Sequence, residues 1–148
     1  MFQKLFATSN DLILTVLRVL LAVVFFPHGA QKLLGLFGGG GLHGTLALFA
    51  RMGFPVSLGW LVIATEFFGP LALLFGFLTR VAALAIGVDM LMAVLLVHIH
   101  IGFFMNWTGR QKGEGFEFHL LALAIVIALL VRGAGALSVD RLIARRAE

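Results

Sequence analysis

Long apolar stretches separated by short polar segments are the clearest pattern in the chain. Four such stretches run over about 12–34, 56–78, 81–101 and 116–131. A hydrocarbon core of about 30 Å requires roughly 20 apolar helical residues, so each stretch predicts a membrane-spanning helix. The fourth is the shortest, and we expect it to gain length from its flanks or to tilt less. The pattern predicts an all-α fold, an integral membrane four-helix bundle in which residues 1–148 form one domain.

A glycine-rich segment follows the first span and leads into a short amphipathic stretch. The four consecutive glycines at 38–41 disfavour a helix there. Over about 42–52, Leu42 and Phe49 share one side of a helix, whereas Arg51 lies elsewhere. This pattern predicts a short interfacial helix between spans 1 and 2.

The distribution of cations predicts the orientation of the bundle. Four spans bring both termini to the same side, and the cations divide six to four between that side and the other. The positive-inside rule therefore predicts that both termini are cytoplasmic. The cations on the side of the termini are Lys4, Arg80, Arg132, Arg141, Arg145 and Arg146, and those on the other side are Lys32, Arg51, Arg110 and Lys112.

The composition supports a membrane location. The chain is 61% hydrophobic and 12% charged, against about 45–50% and about 25% in soluble domains. In this setting the net charge of +4 indicates basic loops that face anionic lipid, and we expect no nucleic-acid partner. The chain has no cysteine, so any redox chemistry has to come from a bound cofactor, a quinone or a partner.

Glu66 is the most conspicuous candidate site residue, because it places a carboxylate in the middle of the second span. Charges inside spans are costly and typically have a partner or a function. Judged by depth, Arg18 of the first span and Asp89 of the third lie within reach of Glu66. One arginine against two carboxylates favours a proton shared by the pair. We therefore predict Glu66, Arg18 and Asp89 as catalytic, proton-exchanging residues, with a purely structural ion pair as the alternative.

A second polar group lies toward the other side of the bundle, and we predict that it binds a ligand. Its candidate ligand-binding residues are His28, Lys32, His98 and Glu117, and Gln31, His100 and His119 lie beside them in the sequence. No tight histidine or carboxylate spacing of the kind found in metal sites occurs, so we predict no metal site. The alternative is a set of interfacial histidines bonded to backbone and water.

Pairs of phenylalanines accompany these polar residues. Phe67 follows Glu66 directly, and Phe103 follows the third span. Such rings suit a flat aromatic ligand such as a quinone head group, and we include both residues among the candidate ligand-binding positions. Phenylalanine is also common on lipid-facing surfaces, which is the alternative for each of them.

Several short motifs, in this order and spacing, resemble the DoxX family. The resemblance covers about residues 10 to 141, although His100 stands where the family usually has another residue. The family positions it matches are Arg18, His28, Lys32, Glu66, His98 and Glu117. The motifs are Arg18 followed by FFPHGAQKL at 25–33, EFFGP at 66–70 with GFLTR at 76–80, His98 with GFF at 102–104, GFEF at 115–118, and GAGALSVD at 133–140.

The resemblance implies a small bacterial inner-membrane protein with four spans and a link to redox chemistry. The family name derives from a terminal quinol oxidase, related subunits act in thiosulfate:quinone oxidoreduction, and some members associate with enzymes of oxidative stress and thiol handling. We therefore expect a redox component that binds a quinone-like cofactor and exchanges protons through Glu66, as a quinone-linked oxidoreductase subunit. A non-catalytic scaffold for a soluble or membrane redox partner and a small proton-coupled transporter are the alternatives. A homo-oligomer is compatible with each of them.

Overall fold

The fold consists of six α-helices and one 3₁₀ turn within residues 5–146, the part of the chain that the computed structural model describes. No β-strand occurs in this range, which confirms the all-α prediction. Lys4, one of the cations counted above, lies outside it. The α-helices are α1 (Leu12–Leu34), α2 (Gly41–Arg51), α3 (Val56–Phe75), α4 (Thr79–Leu96), α5 (Glu117–Arg132) and α6 (Val139–Arg146).

Three helices are long and apolar enough to cross a membrane. They are α1, α3 and α4, the last extended by its 3₁₀ turn to His100. Helix α5 is apolar, but its 16 residues would rise only about 24 Å. Three of the predicted spans are therefore confirmed. The fourth span, the complete four-helix bundle and the cytoplasmic orientation of the termini stay predictions.

The helix ends show how local chemistry sets the boundaries. Helix α1 begins after Asp11, whose carboxylate caps the helix by accepting a hydrogen bond from the Ile13 N–H at 2.8 Å. Helix α3 ends three residues earlier than predicted because Gly76 takes a left-handed conformation, with φ of 64°.

The third span is interrupted near its end. Helix α4 stops at Leu96, and Val97 leaves helical geometry with φ of −126° and ψ of −62°. His98–His100 then form a separate 3₁₀ turn. The apolar span still reaches His100, close to the predicted end at 101. The break gives His98 a direction that uniform helical phase would not.

The core lies where α1, α3, α4 and α5 meet. It contains Leu21 and Phe25 of α1, Leu73 of α3, Ile86 of α4 and Leu129 of α5, all nearly inaccessible. Large apolar side chains on the outer faces of these helices are exposed, as expected for surfaces that contact lipid. Helix α2, at the position predicted for the interfacial helix, is fixed to the end of α1 by a 3.1 Å hydrogen bond from the Thr45 hydroxyl to the Lys32 carbonyl.

Glycines allow close helix contacts at three places in the bundle. A Cβ at Gly29 of α1 would lie 2.1 Å from the Glu66 carbonyl oxygen of α3, so the two backbones touch here. At Gly69 and Gly87 a Cβ would meet side chains instead, those of Ile86 and Val126. The closest approach in the bundle core is therefore at the turn that carries Glu66.

Candidate functional site

A cavity of about 500 Å³ lies in the half of the molecule away from the chain ends. It is bounded by the first half of α3, the second half of α4, the covering helix α2 and the last turn of α1. Most of its lining is apolar, including Phe49 of α2, Leu61 of α3 and Met92 of α4. Its volume falls within the ~300–1,000 Å³ typical of small-molecule sites.

Four of the predicted site residues line this one cavity. They are Lys32, Glu66, Asp89 and His98. Lys32 forms an ion pair with Glu66, and the Asp89 carboxyl lies close enough to both side chains to interact with them. The cavity thus combines apolar walls with a compact group of two carboxyls and one ammonium.

The backbone contact between α1 and α3 positions this group. Pro70 has no N–H, so it cannot bond to the carbonyl four residues earlier, which is that of Glu66. The freed carbonyl faces Gly29, where only a hydrogen fits. Lys32 lies one turn beyond Gly29 on the same face of α1. The glycine therefore brings the Lys32 ammonium within reach of the Glu66 carboxylate.

Two carboxyl oxygens of the group lack a donor. Oε2 of Glu66 and Oδ2 of Asp89 are both buried, and neither has a hydrogen-bond partner among the described residues. Glu66 is only 4% exposed. Two neighbouring carboxylates in a low dielectric are strongly disfavoured unless they share a proton. One shared proton together with the Lys32 charge makes the group neutral, which is the state that burial favours.

His98 lines the far end of the cavity and is held in a fixed orientation. Its Nδ1 lies 2.7 Å from the carbonyl oxygen of Glu114. Its ring packs against that of buried His119, with centroids 4.2 Å apart. These two contacts leave Nε2 as the ring nitrogen available to a ligand.

Arg18 does not meet Glu66 or Asp89, and this part of the predicted site is wrong. Its guanidinium is buried at the opposite end of the bundle and donates to four backbone carbonyls. Two of them, at Leu73 and Leu74, lie in the last turn of α3, where the helix dipole favours a cation. The other two belong to the segment before α6, at Ala134 (3.0 Å) and Leu137 (2.6 Å). Arg18 therefore joins α1, α3 and the C-terminal segment.

The remaining predicted residues lie outside the lining of the cavity. His28 is exposed on α1 and contacts Phe25. Phe67 packs against Phe26 and Phe68. Phe103 is 45% exposed and packs against Phe104 and Phe116.

Glu117 stabilises a loop rather than facing the cavity. Its Oε1 accepts hydrogen bonds from the Met105 N–H at 2.8 Å and from the Trp107 indole N–H at 3.3 Å. The carboxylate thus fastens the loop before α5 to the start of that helix. Within residues 5–146, no group of three or more histidines and acidic residues is arranged to hold a metal ion.

Sequence reasoning missed two residues, Gly29 and Asp140, and one ion pair, that of Lys32 with Glu66. Gly29 carried a signal, since a small residue one turn before Lys32 suggests close packing. The partnership of Lys32 with Glu66 was missed because Lys32 was assigned to the other polar group. Asp140 had no signal beyond its place in a tail motif, yet it is 2% exposed and caps α4.

These features define a small all-helical membrane protein with an apolar cavity and a buried ionisable group. The DoxX family model matches residues 13–99. The chain belongs to the DoxX family.

Two bacterial relatives are similar over most of the chain. The Inner membrane protein YqjF of Escherichia coli is 34% identical over 137 residues, covering 93% of this chain and 96% of the relative. The protein named Putative oxidoreductase CatD, from Bacillus subtilis, is 27% identical over 124 residues, covering 84% and 81%. No solved structure matches significantly. Together with the three span helices, these findings identify a multi-pass inner-membrane protein.

Proposed function

We propose that this protein is an inner-membrane component of a redox system that binds a quinone-like ligand in its cavity and exchanges protons with it through Glu66. The observation that carries the proposal is the placement of Glu66, Asp89 and Lys32 on a cavity that is otherwise almost entirely apolar. The name of the Bacillus subtilis relative supports a redox role.

The walls of the cavity suit a ligand that arrives from the membrane. Leu61 of α3 and Val88 and Met92 of α4 line it while remaining 63%, 53% and 38% exposed. Exposed apolar residues on span helices face lipid, so an apolar tail could leave the cavity directly into the bilayer. A polar head group would then lie deeper, beside the ionisable group.

Proton exchange follows from the charge balance of that group. A carboxyl pair that shares one proton carries one negative charge, and the ammonium of Lys32 balances it. The pair can take up a second proton from a hydroxyl head group as that head group is oxidised, or give its proton to a quinone oxygen as the quinone is reduced, while the electrons pass to or from the rest of the redox system. Either transfer changes the charge of the pair by one unit. Lys32 replaces Arg18 as the counter-ion of this site.

Ligand binding by the purified protein tests the proposal. A benzoquinone with a decyl tail should raise the thermal unfolding temperature of the detergent-solubilised protein and quench its tryptophan fluorescence. Ala85 lines the cavity and Ala64 of α3 is exposed outside its lining. Ala85→Phe should abolish the response, and Ala64→Phe should leave it intact.

The same measurement separates the alternatives. If neither the oxidised nor the reduced benzoquinone binds, and Ala85→Phe and Ala64→Phe give the same response to it, the quinone proposal is wrong. A scaffold role is then favoured. Glu66→Gln should keep the ligand but slow the delivery of protons to it, measured in buffer as the rate at which dithionite converts the bound quinone to the hydroquinone. An unchanged rate would remove Glu66 from this role.

A further inference from the structure

The polar groups at the two ends of the cavity differ in what they offer a ligand. At the near end, Lys32 and the hydroxyl of Thr65 provide donors, and the carboxyls of Glu66 and Asp89 provide acceptors. At the far end, His98 is the polar side chain of the lining. Whether the imidazole of His98 donates or accepts a hydrogen bond therefore decides which group of a ligand can bind at the far end.

The carbonyl of Glu114 fixes the tautomer of His98. A carbonyl oxygen only accepts hydrogen bonds, so the Nδ1 that lies 2.7 Å from it must carry the proton. In a neutral imidazole the other nitrogen is then unprotonated. The neutral ring of His98 consequently offers the lone pair of Nε2, an acceptor, to a ligand that reaches it.

This acceptor distinguishes the two redox forms of a quinone. A hydroquinone hydroxyl can donate a hydrogen bond to Nε2, whereas the oxygen of an oxidised quinone has only lone pairs to oppose it. At the near end both forms find a partner, because donors and acceptors are both present there. The difference between the two forms therefore arises at His98.

The two ends of the cavity are separated along α4. Asp89 and His98 are nine residues apart along α4 and its 3₁₀ turn, which is about 13 Å along the helix axis. A head group that meets His98 therefore lies at a distinct place from the carboxyl group of Asp89.

We propose that the cavity prefers the reduced, dihydroxy form of its ligand, a hydroquinone, over the oxidised quinone. This inference rests on the proposed function and specifies which form of the ligand the site recognises. One additional neutral hydrogen bond favours the hydroquinone by roughly tenfold. A tenfold preference for the reduced form raises the midpoint potential of the bound two-electron couple by about 30 mV.

The test compares the two forms of the decyl benzoquinone on the intact protein. We expect anaerobic titrations to give about tenfold tighter binding of the hydroquinone, and voltammetry to give the upward shift in potential of the bound couple. His98→Phe retains the ring contact with His119 but removes the acceptor, so it should equalise the two affinities. His100→Phe is the matched control, because His100 is exposed and outside the cavity lining, and it should keep the preference.

The outcomes distinguish failure of the hydroquinone preference from failure of the proposed function. Equal binding of both forms by the unaltered protein, or tighter binding of the quinone, overturns the preference but leaves quinone binding intact. A preference that survives in His98→Phe also overturns it. If His98→Phe fails to fold, His98→Gln, whose amide can also donate to a quinone oxygen, should lose the preference instead. Binding of neither form overturns the proposed function itself.

Discussion

Lys32 of α1 forms an ion pair with Glu66 of α3, and both side chains line the same cavity. The Glu66 side chain is 6% exposed and that of Lys32 is 32% exposed. The pair is therefore buried on the carboxylate side and reaches the cavity on the ammonium side. This asymmetry means that the loss of Lys32 leaves a buried acid without its cation.

Replacement of Lys32 by methionine should destabilise the protein. The buried Glu66 carboxyl would lose its charged partner, which costs about 1–3 kcal/mol. The double variant Lys32→Met/Glu66→Gln should recover part of this loss, because no charge is then left unpaired. Thermal unfolding in detergent, followed by circular dichroism, measures both effects. Equal unfolding temperatures for the single variant and the unaltered protein would mean that the pair contributes nothing to the fold.

Gly29 should be among the least replaceable positions in the bundle. In Gly29→Ala the new Cβ would overlap the α3 backbone at Glu66 and Phe67. Helices α1 and α3 would have to separate, at a cost of about 1–3 kcal/mol. Ligand affinity should also fall, because Lys32 would move away from Glu66.

Gly44 offers a matched control for this substitution. It lies in α2, and a Cβ built there has no heavy atom within 4 Å. Gly44→Ala should therefore raise stability slightly, by about 0.5–1 kcal/mol. Similar unfolding temperatures for the two alanine variants would contradict the close approach of α1 and α3 at Gly29.

The sequence predicted a buried carboxylate at Glu66 but not its partner. A charge within an apolar run is visible in any reading of the chain, and its depth follows from the rise of a helix. Depth does not say where a long side chain ends. Arg18 bonds to carbonyls seven and eight residues beyond Glu66, about 11 Å further along α3. The guanidinium of Arg18 therefore bonds to the free carbonyls at the end of α3 and lies away from the cavity.

The positions of the helices were more predictable than the details of the cavity. Apolar length alone located α1, α3 and α4 within a few residues. The break at Val97, which orients His98, had no counterpart in the pattern, because both sides of it are apolar. The roles of Phe103 and Glu117 depended on how a loop folds back, and hydrophobic periodicity carries no such information.

Arg18 should affect stability and leave the ligand site unchanged. Arg18→Lys keeps the charge but cannot bond to four carbonyls in several directions, because lysine lacks the planar fork of arginine. We expect a loss of about 1–3 kcal/mol in the free energy of unfolding. The affinity of the folded fraction for the decyl benzoquinone should not change. Arg132→Lys, at an exposed position near the same end, should be nearly neutral. A large change in affinity in Arg18→Lys would restore Arg18 to the functional site.

Asp140 should be required for the junction between α3 and α4. Its two carboxylate oxygens accept hydrogen bonds from the Leu78 N–H at 2.7 Å and the Thr79 N–H at 2.9 Å. Leu78 has φ of 48°, a left-handed conformation that is unfavourable for leucine and that these bonds help to hold. An asparagine has a single acceptor oxygen, so Asp140→Asn leaves one buried N–H unpaired and should cost about 1–3 kcal/mol.

The matched control for Asp140→Asn is Asp11→Asn at the start of α1. The Asp11 carboxylate accepts a single hydrogen bond, from the Ile13 N–H, and asparagine is as good an N-cap as aspartate. Asp11→Asn should therefore unfold at nearly the same temperature as the unaltered protein, whereas Asp140→Asn unfolds earlier. Hydrogen exchange at the first turn of α4 should increase only in Asp140→Asn. Equal protection in the two variants would show that α6 does not hold this junction.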